Sequence, residues 1–159
     1  MTGRTLLLLR HAKAEAGFGV IDYDRSLTDR GHEQAGAVGR LLAEAGHAPD
    51  HVICSSAKRT RQTLDGVLEA LPGGRPEIDY SESAYTAGVD SLLELITYVD
   101  PDVRTLLVVG HNPTIAQLAA AFVGSEALMA YSPATVSAID LEVEWLHTAP
   151  GTGTGRILN

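Results

Sequence analysis

The chain has 159 residues, 45% of them hydrophobic and 20% charged, and a formal net charge of −8. That balance excludes general disorder, and the length suffices for the core of one domain, expected to span residues 1–159. The acidity argues against a nucleic-acid partner, which demands a basic stripe, and the apolar run at 5–9 is too short for a membrane span or a signal-peptide core.

The elements alternate. Residues 5–9 form a continuous apolar run, the pattern of a strand buried on both faces of a parallel sheet. A polar, Gly-containing loop follows over 12–27. Thr28 then caps a helix running to about Ala45, with Asp29 in its first turn and Ala35, Val38, Leu42 and Ala45 on one face. Gly46 ends it. Residues 51–54 make a second buried strand, and the lone Cys54 within it reads as a core residue. With no partner for a disulfide, the fold needs no oxidising compartment, so the chain is taken as cytoplasmic and soluble.

A helix is expected over 57–71, stopped by Pro72, Gly73 and Gly74. Residues 77–80 give a weaker strand, 90–99 a helix, 105–109 a third strongly apolar strand and 115–123 another helix. Residues 135–143 suggest a late strand, and 156–158 a short edge strand. The Gly-Thr-Gly-Thr-Gly run at 151–155 lacks the strand-then-helix setting of a dinucleotide site and reads as a hairpin or surface loop. Strand and helix in alternation imply an α/β domain, with a mainly parallel central sheet and helices on both faces.

In open α/β sheets, ligands bind at the carboxyl ends of the strands. Three strand ends here carry chemistry: Arg10-His11, the segment Ser55 to Arg61, and Gly110-His111-Asn112-Pro113. A histidine at one strand end is often only a loop residue. Two histidines with arginines at three ends of one parallel sheet make a site. Asn112 as a helix cap and Pro113 at the first helical position put His111 at a helix N-terminus, where free backbone N–H groups favour an anion.

These segments resemble the histidine phosphatase superfamily, the phosphoglycerate-mutase-like proteins. Leu8 to Ala12 is similar to its Arg-His signature, with Ala12 where Gly is usual. Leu27 to Ala35 is similar to its Leu-Thr-x-x-Gly-x-x-Gln-Ala segment, and Ser55 to Thr63 to Ser-x-x-x-Arg-x-x-Gln-Thr, which selects Arg59 over Arg61. Residues 110–113 resemble its second histidine motif. The short chain and the Arg-His-Ala variant most resemble the SixA-like branch, which includes protein phosphohistidine phosphatases.

The resemblance implies a three-layer α/β/α fold and a two-step, metal-independent phosphoryl transfer without cofactor. His11 would be the nucleophile, and Arg10, Arg59, His111 and Asn112 would hold the phosphoryl group, with His111 protonated in the complex. Family members often use a Glu or Asp after the third strand as general acid, and Glu82 is the nearest candidate; a solvated loop carboxylate is the alternative reading. The implied partner is a phosphorylated small molecule or a phosphohistidine-bearing protein, with no membrane. Lys13, Lys58 and Arg61 stand ready to steer an anion, or serve only solubility. The alternatives are a mutase, for which the short chain has little lid material, and a phosphate- or phosphoprotein-binding domain without catalysis. A metal hydrolase lacks any close-spaced ligand motif.

Overall fold

A computed structural model describes residues 3–159. The strands are β1 (Arg4–Arg10), β2 (His51–Ser55), β3 (Glu77–Ser81), β4 (Thr105–Gly110), β5 (Val136–Leu141) and β6 (Gly153–Ile157). The α-helices are α1 (Asp29–Ala45), α2 (Lys58–Glu69), α3 (Glu82–Thr86), α4 (Val89–Thr97), α5 (Thr114–Val123) and α6 (Ala127–Ala130). Short 3-10 turns occur at Asp22–Asp24 and Trp145–His147.

All strands join one six-stranded sheet in the order β3-β2-β4-β1-β5-β6. β3, β2, β4 and β1 are parallel; β5 and β6 add an antiparallel edge. The inner parallel strands β1, β2 and β4 carry continuous apolar runs because both faces are covered, whereas β3 at the edge is largely polar and exposed. Leu6 and Leu8 of β1 join a core with Leu92, Ile96, Ile115 and Leu118 of α4 and α5. Leu7 and Leu9 face the other way, onto Val38, Leu42, Leu64 and Val67 of α1 and α2. Two cores back to back on one sheet give the three-layer α/β/α architecture expected from the sequence. Cys54 lies in the second core, fully buried.

Thr28 caps α1 as expected, its Oγ1 accepting from the Gly31 N–H at 3.0 Å, and Gly46 ends the helix in the left-handed region at φ 73°. The late segment differs in extent. The edge strand begins at Gly153 rather than 156, so the Gly-Thr repeat forms half of a β5–β6 hairpin. The helices α3 and α6 and both 3-10 turns carry no periodic apolar pattern and were not anticipated.

α1 and α2 meet closely at Gly39, where an added Cβ would lie 2.4 Å from the Val67 carbonyl and 2.7 Å from the Ala70 Cβ. A backbone carbonyl cannot swing aside as a side chain can, so the helices themselves would have to part. Gly39→Ala is expected to destabilise the fold by about 1–3 kcal/mol, the usual cost of overpacking, in urea unfolding. An unchanged midpoint would show that the helix pair is loosely packed.

Candidate active site

The register of the central strands builds the site. Arg10 of β1 pairs with Gly110 of β4, so the next residues, His11 and His111, leave adjacent parallel strands at the same level. Their ring centroids are 5.4 Å apart. β2, on the other flank of β4, ends at Ser55, whose Oγ lies 2.7 Å from His111 Nε2. Arg59, in the first turn of α2, brings its guanidinium to the same edge; its charge depresses the pKa of both histidines. The structure therefore assembles Arg10, His11, Arg59 and His111 as the sequence predicts.

The motif residues between these groups hold the loops that carry them. The Ala12 N–H donates to Thr63 Oγ1 (3.0 Å), the Lys13 N–H to Gln34 Oε1 (2.9 Å) and the Leu27 N–H to Gln62 Oε1 (2.7 Å). At Gly31 a Cβ would stand 2.1 Å from the Lys13 carbonyl, so glycine lets α1 press against the loop leaving β1.

His11 is 8% exposed. Its Nδ1 is 2.7 Å from the Ala12 carbonyl. A carbonyl only accepts, so Nδ1 carries the proton, and the neutral ring keeps its lone pair on Nε2. Burial lowers the His11 pKa to about 4, with Arg59 and Arg10 adding to the effect against the Ala12 bond. Burial, then Arg59, lowers that of His111 to about 3. His111 is thus neutral at neutral pH, and the protonated form expected from sequence in the complex requires the charge of a bound phosphoryl group. Ser55 Oγ also accepts from the Ala57 N–H (3.4 Å); with a second lone pair and its own proton, the hydroxyl bonds His111 Nε2 in either imidazole tautomer.

The buried atoms His111 Nδ1, Arg10 Nε, Arg59 Nε and Ser56 Oγ have no hydrogen-bond partner. Buried donors are rarely left so. Three of them, on His111, Arg10 and Arg59, belong to groups that act on His11 and mark a place for an anion with several oxygens.

Asn112 is committed within the protein: its Nδ2 donates to the Tyr131 carbonyl (2.8 Å) and its Oδ1 accepts from the Ala116 N–H (3.3 Å). Arg10 Nη1 donates to the same Tyr131 carbonyl at 3.0 Å. The helix α5 starts at Thr114, with Pro113 at the cap position after a cis peptide bond. The Ile115 N–H is taken by the His111 carbonyl. The free N–H groups expected there for an anion are therefore largely satisfied internally. Glu82, at the start of α3, is exposed and makes no hydrogen bond or ion pair. Among the described residues no group of three or more His, Cys, Asp or Glu could hold a metal ion, and no helix is long and apolar enough to cross a membrane.

Two participants were missed. Asp22, in the 3-10 turn of the 12–27 loop, accepts from Arg59 Nη2 (3.0 Å), Arg25 Nη1 (3.0 Å) and the Tyr85 hydroxyl (2.6 Å). Tyr85 of α3 packs edge-on against His111 at 5.5 Å. The Tyr85 hydroxyl bond, followed by those from Arg25 and Arg59, holds the Asp22 carboxyl far below its usual range. The only local signal was the Asp22–Arg25 spacing.

The model of the histidine phosphatase superfamily (branch 1) matches residues 6–82. An uncharacterised protein of Mycobacterium tuberculosis is 36% identical over 152 residues, covering 90% of this chain and 93% of its own. The structure of the candidate phosphohistidine phosphatase SixA of Nakamurella multipartitia superposes with a TM-score of 0.86 at 32% identity, over 98% of this chain and 95% of that one. The chain belongs to the histidine phosphatase superfamily. Phosphatase chemistry follows from that membership. The protein histidine phosphatase SixA complexed with tungstate shares the fold, with a TM-score of 0.77 at 19% identity over 96% of this chain and 93% of that one.

The depressed histidines make stability depend on pH. An unfolded histidine titrates near about 6.5, whereas His11 and His111 in the fold bind a proton only near 4 and 3. Between those values the unfolded chain takes up protons that the folded chain refuses, so stability is full above pH 6.5 and falls as the pH drops toward 4. From pH 7 to pH 5 the loss should be on the order of 1–2 kcal/mol per histidine in urea unfolding. In His111→Asn its share of the loss should vanish; an identical slope in both proteins would refute the assignment.

Proposed function

We propose that this phosphatase transfers a phosphoryl group to His11 Nε2 and then to water, and that its substrate is a phosphohistidine on a protein. One observation carries the first half: the His11 Nδ1–H is fixed to the Ala12 carbonyl, so the neutral ring has its nucleophilic lone pair on the other nitrogen. In the first step the lone pair forms the P–Nε2 bond as the bond from phosphorus to the leaving group breaks, and the leaving group takes up a proton. In the second, water attacks phosphorus and gives up a proton to solvent, the P–Nε2 bond breaks with its electron pair returning to His11, and phosphate leaves. Arg10 and Arg59 hold the phosphoryl oxygens with charge-assisted N–H bonds, and His111 donates from Nδ1. Asn112 contributes by fixing the Tyr131 carbonyl on which Arg10 rests.

The choice of substrate is supported by the SixA-type neighbours and by the surface beside Asp22. Phe18, Val20 and Ile21 are 95%, 49% and 67% exposed, an apolar lip of little use to a small phosphate ester and suited to a protein surface. A lone buried Cys54 is consistent with a cytoplasmic setting. A phosphorylated small molecule is the second reading.

Incubation with a labelled phosphoryl donor in EDTA, followed by an alkaline stop that preserves phosphohistidine, should leave label on wild-type protein and none on His11→Ala. Turnover that requires added metal, transfer of label to a second hydroxyl acceptor, or binding without labelling would each overturn the proposal. If Glu82 is the general acid, Glu82→Gln should slow hydrolysis of an alkyl phosphate by about 100-fold and leave a nitrophenyl phosphate nearly unaffected. Equal rates on both esters would assign the leaving-group proton to solvent.

A further inference from the structure

The Arg59 guanidinium is buried, with its side chain 7% exposed, yet its ion-pair partner Asp22 is 52% exposed and lies 37 residues away in a surface loop. The pairing is two-pronged. Arg59 Nη1 donates to the Asp22 backbone carbonyl at 2.8 Å, and Nη2 donates to the carboxylate Oδ2 at 3.0 Å. Asp22 thus takes the end of the guanidinium fork. The Nε–H on the side edge is left buried without an acceptor. A guanidinium has five N–H donors in a rigid plane, so fixing two at one edge fixes the direction of the rest.

The same carboxylate does more. Its Oδ2 also accepts from the Tyr85 hydroxyl, and the Tyr85 ring stands against His111. Its Oδ1 accepts from Arg25, whose Nε is anchored on the Glu15 carbonyl at 2.9 Å. One exposed carboxylate therefore ties the loop after β1 to α2 and α3, the elements that carry Arg59 and Tyr85.

We propose that Asp22 is a positioning residue: by holding the terminal nitrogens of Arg59, it presents the Nε edge of that guanidinium to the phosphoryl group. This rests on the reading of Arg59 as a phosphoryl ligand. Asp22 touches no reacting atom and acts only through the arginine.

A double-mutant cycle separates this from a structural role. Asp22→Ala, Arg59→Ala and the double variant are compared with wild type for kcat and KM on para-nitrophenyl phosphate and for melting temperature. Loss of a phosphoryl donor in Arg59→Ala should lower kcat/KM by about 100- to 1,000-fold, and misdirection of the arginine in Asp22→Ala by about 10- to 100-fold, mostly in kcat. In the Arg59→Ala background the Asp22 substitution should change the rate by no more than about threefold, since residues acting as one unit are not additive. Asp22→Asn, which keeps shape and one acceptor but not charge, should fall between wild type and Asp22→Ala, and gives the same reading should the alanine variant fold poorly. Multiplicative losses in the double variant, or an Asp22→Ala rate equal to wild type, overturn the inference alone. A fully active Arg59→Ala overturns it together with the reading of Arg59.

Discussion

The structure turns on a buried concentration of positive charge. Two guanidinium groups and two imidazoles share one edge of the sheet, and the described protein sets only one carboxylate, Asp22, against the arginines in contact with them. Arginine does not give up its proton, so the histidines yield instead. Desolvation and the nearby arginines drive both imidazoles neutral, which is the state a nucleophile needs. The unbalanced positive charge that is costly to bury is also what prepares the site for a dianion. Donors left without acceptors are the visible trace of that tension.

Holding such a cluster in place falls to residues that never meet phosphate. Thr63, Gln34 and Gln62 each take a backbone N–H from the loops beside β1 and α1, and Gly31 leaves room for the Lys13 carbonyl. The motifs thus divide two tasks. In Ser55–Thr63, Arg59 faces the site while Gln62 and Thr63 fix loops whose backbone would otherwise lack partners; in Leu27–Ala35, Gln34 and Gly31 perform the second task alone. Thr63 shows how tightly these are joined: its hydroxyl accepts from Ala12, beside the nucleophile, and donates to the carbonyl of Arg59 at 2.7 Å.

Most of the fold was legible because it rests on local pattern. Continuous apolar runs marked β1, β2 and β4, and capping chemistry marked α1 to within a residue at each end. The cluster of Arg10, His11, Arg59 and His111 was legible because strand ends in a parallel sheet open on one edge. Asp22 and Tyr85 were not, because their pairings span 37 and 63 residues between irregular loops and a five-residue helix. Nothing periodic announces them. The start of α5 was legible only in part. Asn112 caps it as expected, but its Oδ1 takes the Ala116 N–H and the His111 carbonyl the Ile115 N–H, which leaves fewer free N–H groups for an anion than the cap alone implied.

The spacing of the two histidines is finally a property of the sheet. Side chains alternate along a strand, so sliding β1 by one residue against β4 would exchange its two faces. Burial alone does not forbid that slip, because leucines fill both cores, Leu6 and Leu8 the one and Leu7 and Leu9 the other. Four leucines are interchangeable under such a slip, but Arg10 and His11 are not. A one-residue shift would carry the Arg10 guanidinium away from the Tyr131 carbonyl and detach His11 from the Gly110 carbonyl, to which its N–H donates at 3.0 Å. The polar residues at the strand end therefore set the register of an apolar strand that could not set it alone, and the register in turn sets two imidazoles side by side.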